Sequence, residues 1–115
     1  MNLIRANAIL LKARERLTPV DQWTQGKLAR DSARISVWPS APDAVCWCVE
    51  GAIIAESIKA GVIDEANEIA DLIGEAIWPL RLPVFNATHP PAEVLALRDT
   101  VIGHNAHKIH LGKPR

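Results

Sequence analysis

The residues best suited to chemistry surround Trp23, in a polar stretch without helical periodicity. The side chains of Gln25, Arg30 and Asp31 could converge on a ligand there, with the Trp23 indole as an apolar wall. Gly26 would let the backbone approach that ligand closely, because glycine has no side chain in the way. The alternative is structural: Arg30 and Asp31 form an exposed ion pair, Gln25 satisfies loop amides, and Trp23 packs on a helix.

Two cysteines and two of the carboxylates offer a second kind of chemistry. Cys46 and Cys48 are two residues apart. In a helix this spacing points the sulfur atoms to different faces, so they would not hold one zinc ion together, and buried cysteines usually act as small apolar side chains. A carboxylate held in apolar surroundings suits proton transfer, which makes Asp31 or Glu50 a candidate general base.

Three histidines near the C-terminus and one loop asparagine complete the candidates. His104, His107 and His110 are each three residues apart, so a helix would place them on one face, where they could bind a transition metal. No carboxylate accompanies them after residue 102. The sequence therefore favours a solvated tail and predicts no metal and no other cofactor. Asn86 could bind a ligand from its loop or cap the following helix.

The composition fits one globular domain. The 115 residues are 49% apolar and 23% charged, with a formal net charge of zero. The charge is uneven, since residues 1–42 hold seven bases and three acids, whereas residues 43–75 hold one base and eight acids. Zero net charge argues against nucleic-acid binding, which needs a basic surface. The uneven charge favours pairing between basic and acidic segments, within one chain or between two copies in a homodimer.

The apolar residues indicate neither a membrane segment nor a signal peptide. Arg5 and Lys12 interrupt the early apolar residues before a secretory core could form. No run approaches the ~20 apolar residues of a membrane span. We therefore expect a cytoplasmic protein without membrane contact.

The elements that would position these residues are mostly helices. Apolar periodicity predicts a helix over residues 2–17, capped by Asn2 and ended before Pro19. Residues 27–37 could form a short β-hairpin. The apolar run over residues 43–60 predicts a buried central helix, and Gly61 matches the left-handed residue that often ends a helix.

The second half of the chain predicts two further helices. Residues 63–77 are amphipathic, and Pro90-Pro91 fits the first turn of a last helix after a proline-punctuated loop. Residues 103–115 form a basic, histidine-rich tail. The predicted fold is mainly α: a compact four-helix domain over residues 1–102 around the central helix.

Three sequence blocks resemble a family of small bacterial proteins of unknown function. The blocks are Trp23-x-Gln25-Gly26-x-x-Ala29-Arg30-Asp31, then Ala44-Val45-x-Trp47-Cys48-x-x-Gly51-Ala52, then Phe85-Asn86 before a helix at Glu93-Val94-Leu95. The resemblance covers roughly residues 5–102. The family usually has Asn-Asp where this chain has Asn86-Ala87. The resemblance implies a shared fold and a shared pocket, and it implies no activity.

These observations lead to one preferred function and one alternative. The preferred reading is a small binding or interaction module, with a site drawn from Trp23, Gln25, Arg30, Asp31, Trp47 and Asn86. Its partner would be a protein, a second copy of the chain or a small molecule, and it could be an accessory or inhibitory protein of a mobile element. The alternative is a small hydrolase-like enzyme with Asp31 or Glu50 as general base.

Overall fold

The computed structural model describes residues 2–77 and 91–112. Within them the chain forms four α-helices and one two-stranded antiparallel sheet. In chain order the elements are α1 (Leu3–Leu17), β1 (Ala29–Arg30), β2 (Cys46–Trp47), α2 (Val49–Lys59), α3 (Ala66–Ile77) and α4 (Pro91–Gly112). Short 3-10 turns occupy Val20–Gln22 and Ile63–Glu65. The predicted mainly α fold is confirmed.

Helix α1 begins and ends where the sequence predicts. The Asn2 side chain accepts hydrogen bonds from the amides of Ile4 and Arg5, at 3.0 and 3.1 Å, which satisfies two of the donors that a helix leaves unpaired at its start. The predicted apolar stripe is buried at Ala6, Leu10, Ala13 and Leu17. This face packs on α2 and α4, so α1 is the common neighbour of both helices.

The predicted central helix starts later than expected. The prediction of a helix from residue 43 was wrong, because Cys46–Trp47 is strand β2 and α2 begins at Val49. Backbone carbonyls in and just before β1 hold residues 45–48 in an extended conformation. The Val45 amide donates to the Arg30 carbonyl at 2.9 Å, and the Cys48 amide donates to the Leu28 carbonyl at 3.1 Å. A continuous apolar run carries no period that separates a buried strand from a buried helix.

The segment predicted as a hairpin, residues 27–37, turns back on itself, but its two halves do not form a regular strand ladder. Arg30 and Ser36 form an isolated antiparallel bridge, and the Val37 amide donates to the Ala29 carbonyl at 3.1 Å. The regular ladder of β1 is made instead with β2, in the register Ala29 to Trp47 and Arg30 to Cys46. Residues 29–30 therefore lie between two extended segments.

Helix α2 is buried along most of its length, as predicted, and Gly51 fixes how closely it approaches the chain before β1. A Cβ atom at Gly51 would lie 1.8 Å from the Leu28 carbonyl oxygen, so only glycine fits there. At the other end Gly61 has φ +76°. Its amide bonds to Ile58 at 3.0 Å and the Val62 amide bonds to Ser57 at 2.8 Å, the pattern of a glycine-ended helix.

Helix α4 passes through the predicted boundary between residues 102 and 103 and continues to Gly112. The Asn105 side chain is buried, and its Nδ2 donates to the side-chain Oδ1 of Asn7 at 3.1 Å. This bond explains why the helix stays packed on α1 beyond Gly103. None of the helices within residues 2–77 and 91–112 is long and apolar enough to cross a membrane.

Candidate functional site

Arg30, the strongest polar candidate of the sequence, forms its hydrogen bonds within its own loop. Its Nε donates to the Thr24 hydroxyl at 3.1 Å, and its Nη1 donates to the Arg34 carbonyl at 2.9 Å. A longer contact of 3.4 Å joins Nη2 to the Gln25 carbonyl. The guanidinium thus ties the stretch 24–25 to the turn after β1, and its donors serve the loop itself.

Asp31 and Gln25 lie beside this cation in different settings. One carboxylate oxygen of Asp31 accepts the amides of Ala33 and Ile35, both at 2.9 Å. These bonds build the tight turn after β1, in which Arg34 adopts a positive φ of 69°. Gln25 is exposed. The Asp31 carboxylate therefore stabilises the turn.

The two central tryptophans meet through their backbones. Trp23 and Trp47 form an isolated parallel bridge, and the Thr24 amide donates to the Trp47 carbonyl at 2.9 Å. Trp23 is half-buried and packs against the core. Trp47 is 8% exposed, and its indole Nε1 donates to the Pro39 carbonyl at 2.9 Å, which satisfies the one polar atom of the ring.

Trp47 also lines an open groove of about 400 Å³, which we call the Trp47 groove. Its walls are residues 39–42 and Ala44 on one side and the second half of α2 on the other, with α1 contributing one basic residue. The lining residues are Arg16, Pro39, Ser40, Ala41, Pro42, Ala44, Trp47, Ala55, Ile58 and Lys59. The groove is mainly apolar with two basic groups, and none of its lining residues is acidic.

The basic residue on the α1 side of the groove, Arg16, is paired with the buried acid Glu56. Nε and Nη2 of Arg16 both donate to the same oxygen of Glu56, Nε at 2.8 Å. The guanidinium carbon lies 4.4 Å from the centre of the Trp47 ring, within range of a cation–π contact. Arg16 is thereby fixed in place, whereas Lys59 is exposed at the groove's other end.

Two large apolar side chains next to groove residues in the sequence are exposed. Trp38 directly precedes Pro39 and is 55% exposed, and Val45 directly follows Ala44 and is 45% exposed. Ile35, in the turn after β1, is 62% exposed. Exposed apolar groups are typical of interaction surfaces where they form a continuous patch.

The remaining candidates lie away from the groove. Glu50 is half-buried in the first turn of α2. Cys46 and Cys48 are both buried and free. Cys48 caps α2, since its sulfur accepts the Gly51 amide at 3.3 Å, and burial raises the pKa of its thiol above the ordinary value of 9.0.

The last candidates are the three histidines near the C-terminus and Asn86. His104, His107 and His110 lie on helix α4, and the His107 side chain is exposed. Asn86 lies outside the described residues. Among the residues that the structure describes, no group of three histidine, cysteine or acidic side chains could hold a metal ion.

The predicted site residues thus fall into two places. Arg30, Asp31 and Gln25 organise the loop and turn around β1, whereas Trp47 belongs to the groove. The sequence analysis missed Arg16, Glu56 and Lys59. A signal for the pair existed: Glu56 is one of two acids, with Glu50, in an otherwise mostly apolar helix, and such an acid needs a cationic partner when buried.

The chain belongs to a family of unknown function, DUF6197, whose model matches residues 1–104. No curated protein matches the chain, and no solved structure matches it. The family therefore adds no ligand or reaction to the geometry.

Proposed function

We propose that this family member is a small protein-interaction module of the bacterial cytoplasm that binds an acidic, partly apolar segment of a partner protein in the Trp47 groove. The observation that carries the proposal is the groove itself, an apolar concavity with two basic groups and exposed apolar side chains beside it. An accessory or inhibitory protein of a mobile element would use such a surface in the same way.

The apolar part of the proposed surface suits a protein partner. A volume of about 400 Å³ lies within the range of small-ligand pockets. Trp38 and Val45 extend the apolar area beyond the groove, to a surface that a small ligand inside it would leave exposed. Tryptophan is enriched among the residues that dominate protein interfaces.

The charged residues of the surface favour a partner segment with negative charge. Arg16 and Lys59 are basic, and no lining residue is acidic. The Arg16 charge is largely compensated by Glu56, so Lys59 is the cation that would attract an acidic residue. Complementary charge of this kind favours association rate and specificity.

The hydrolase alternative has less support from the geometry. The Asp31 oxygen already accepts two amides of its own turn. Neither Asp31 nor Glu50 lines the Trp47 groove. A general base needs a substrate proton within hydrogen-bond reach, and the groove offers neither of these carboxylates to a bound molecule.

The proposal can be tested by selecting peptides on the immobilised protein from a displayed random library. We expect the selected peptides to place an acidic residue next to bulky apolar ones. Trp38→Ala and Lys59→Glu should each weaken a selected peptide about tenfold or more, which corresponds to about 1.4 kcal/mol. Affinity would be measured by fluorescence anisotropy of the labelled peptide.

Matched controls exist for both variants. Ile63→Ala removes an apolar side chain that is 44% exposed outside the groove, and Lys27→Glu reverses an exposed charge in the loop before β1. Both should bind like the wild type, and all four proteins should have similar Tm values. Peptides that ignore the Trp38 and Lys59 changes, or that carry no acidic residue, would contradict the proposal.

A further inference from the structure

Arg98 is a buried cation that forms no ion pair among the described residues. Its side chain on α4 is 0% exposed. Within the described part of the chain, Nε, Nη1 and Nη2 all lack a hydrogen-bond partner. A buried guanidinium whose donors are all unpaired is strongly destabilising. This arrangement calls for a missing acceptor.

The neighbouring polar groups of the α1–α4 interface are satisfied, which sets Arg98 apart. Asn7 donates to the Ile102 carbonyl at 3.1 Å and accepts from Asn105 at 3.1 Å. Arg14 donates to Asp99 at 2.6 Å. Arg98 lies on the same face of α4 as Val101 and Asn105, since these positions are three and seven residues apart. Its neighbours on this face therefore leave no acceptor over for it.

The charges that act on Arg98 come from three named groups. Burial lowers the pKa of Arg98 to about 10, the charges of Asp99 and of a Cys48 thiolate act to raise it, and Arg14 acts to lower it. The group is still cationic near neutral pH. Asp99 is already paired with Arg14, and the raised pKa of Cys48 keeps its thiol neutral.

We propose that Arg98 anchors a site for a small oxyanion, where α4 and α1 meet the beginning of α2. A guanidinium can hold two oxygen atoms of a phosphate, sulfate or carboxylate group at once. Cys48, which caps α2, is one of the groups whose charge would act on Arg98, so the positive end of that helix would add to the attraction for an anion. The site shares no residue with the Trp47 groove, so each proposal can fail without the other.

The first test is the Tm of the full chain as chloride is replaced by inorganic phosphate, sulfate or acetate at constant ionic strength. A ligand that binds the folded state raises the Tm in a saturable way. We expect this rise for the wild type and for Lys27→Met, which removes an exposed cation elsewhere, and no rise for Arg98→Met. A rise with acetate alone would assign the site to a carboxylate rather than a phosphate or sulfate.

Two results would overturn the site: a wild-type Tm that is the same in all four anions, or an Arg98→Met protein that gains as much as the wild type. A second measurement does not depend on that variant folding. In Cys46→Ser protein, phosphate at saturation should slow alkylation of Cys48 by iodoacetamide several-fold, because the bound anion covers the neighbouring sulfur. An unchanged rate in phosphate would also count against the site.

Discussion

Glu56 is more deeply buried than its partner Arg16, with 8% and 21% of the side chains exposed. Removing either residue therefore leaves its partner unpaired in a different environment. Arg16→Met leaves a buried carboxylate unpaired, and this change should lower the free energy of unfolding by about 2 kcal/mol. Glu56→Gln leaves a cation that water can reach and should cost about 1 kcal/mol. Urea unfolding followed by circular dichroism measures both.

The exposed pair of Lys12 and Glu15, at 3.8 Å on the same helix, is the matched control. Lys12→Met should change the free energy of unfolding by less than about 0.5 kcal/mol. Equal costs for Arg16→Met and Glu56→Gln would show that the difference in burial has no energetic consequence.

Single residues differ in how far their roles could be predicted. Trp47 was a candidate because it lies in the second of the three sequence blocks, and the structure places it in the groove with its indole N–H bonded to the Pro39 carbonyl. Arg16 lies on the polar side of the α1 pattern, like Arg14, and the pattern predicts solvent for both. In the fold both pair with acids that are distant in sequence, Arg14 with Asp99 and Arg16 with the more deeply buried Glu56. Arg98 is likewise a charge in an ordinary helix until the packing of α1 buries it.

At the scale of elements, the contact between α2 and the chain before β1 depends on Gly51. Gly51→Ala would force a methyl group against the Leu28 carbonyl oxygen, 1.8 Å away in the present backbone. We expect a loss of about 3 kcal/mol in the free energy of unfolding, because backbone must move to relieve the overlap. Thermal unfolding followed by circular dichroism would measure it.

Gly103 provides the matched control, since it lies within α4 and a Cβ there meets nothing within 4 Å. Gly103→Ala should raise the stability by up to about 1 kcal/mol, the difference in helix propensity. If Gly51→Ala also proved neutral or stabilising, the close approach of α2 to Leu28 would be wrong.

Elements were predictable where local chemistry marks their ends. Asn2 and Gly61 end helices through bonds that involve near neighbours in sequence, so residue type was sufficient. The beginning of α2 depends on Arg30 and Leu28, which are 15 to 20 residues distant and turn Val45–Cys48 into extended chain. Non-local partners of this kind decide between strand and helix in an apolar run.

At the scale of the whole molecule, the uneven charge of the sequence is used within one chain. Arg5 pairs with Glu65 at 2.8 Å and Arg16 pairs with Glu56, so basic α1 lies against the acidic middle of the chain. The sequence left open whether this pairing joins one chain or two copies. The ion pairs join the basic first helix to the acidic middle of the same chain, and one of them, Arg16–Glu56, also borders the Trp47 groove that we propose as the partner surface.

The stability of the whole molecule should fall above pH 9 because of Cys48. An unfolded chain ionises this thiol near pH 9.0, whereas burial raises its pKa in the folded protein. The folded state therefore holds the proton more strongly, so its full contribution is present below pH 9 and is lost as the pH rises towards the folded pKa. Each pH unit above 9 removes up to about 1.4 kcal/mol.

Cys48→Ser separates this effect from other alkaline changes, because serine keeps a side-chain cap for α2 and does not titrate there. Between pH 8 and pH 9.8 the wild type should lose stability relative to Cys48→Ser in urea unfolding. Arg98 acts in the opposite sense: burial lowers its pKa in the folded protein to about 10, below that of the unfolded chain, so stability rises as the pH passes 10. Keeping the comparison below pH 10 leaves the thiol as the group that differs, and parallel curves would show that Cys48 ionises as readily in the fold as in the unfolded chain.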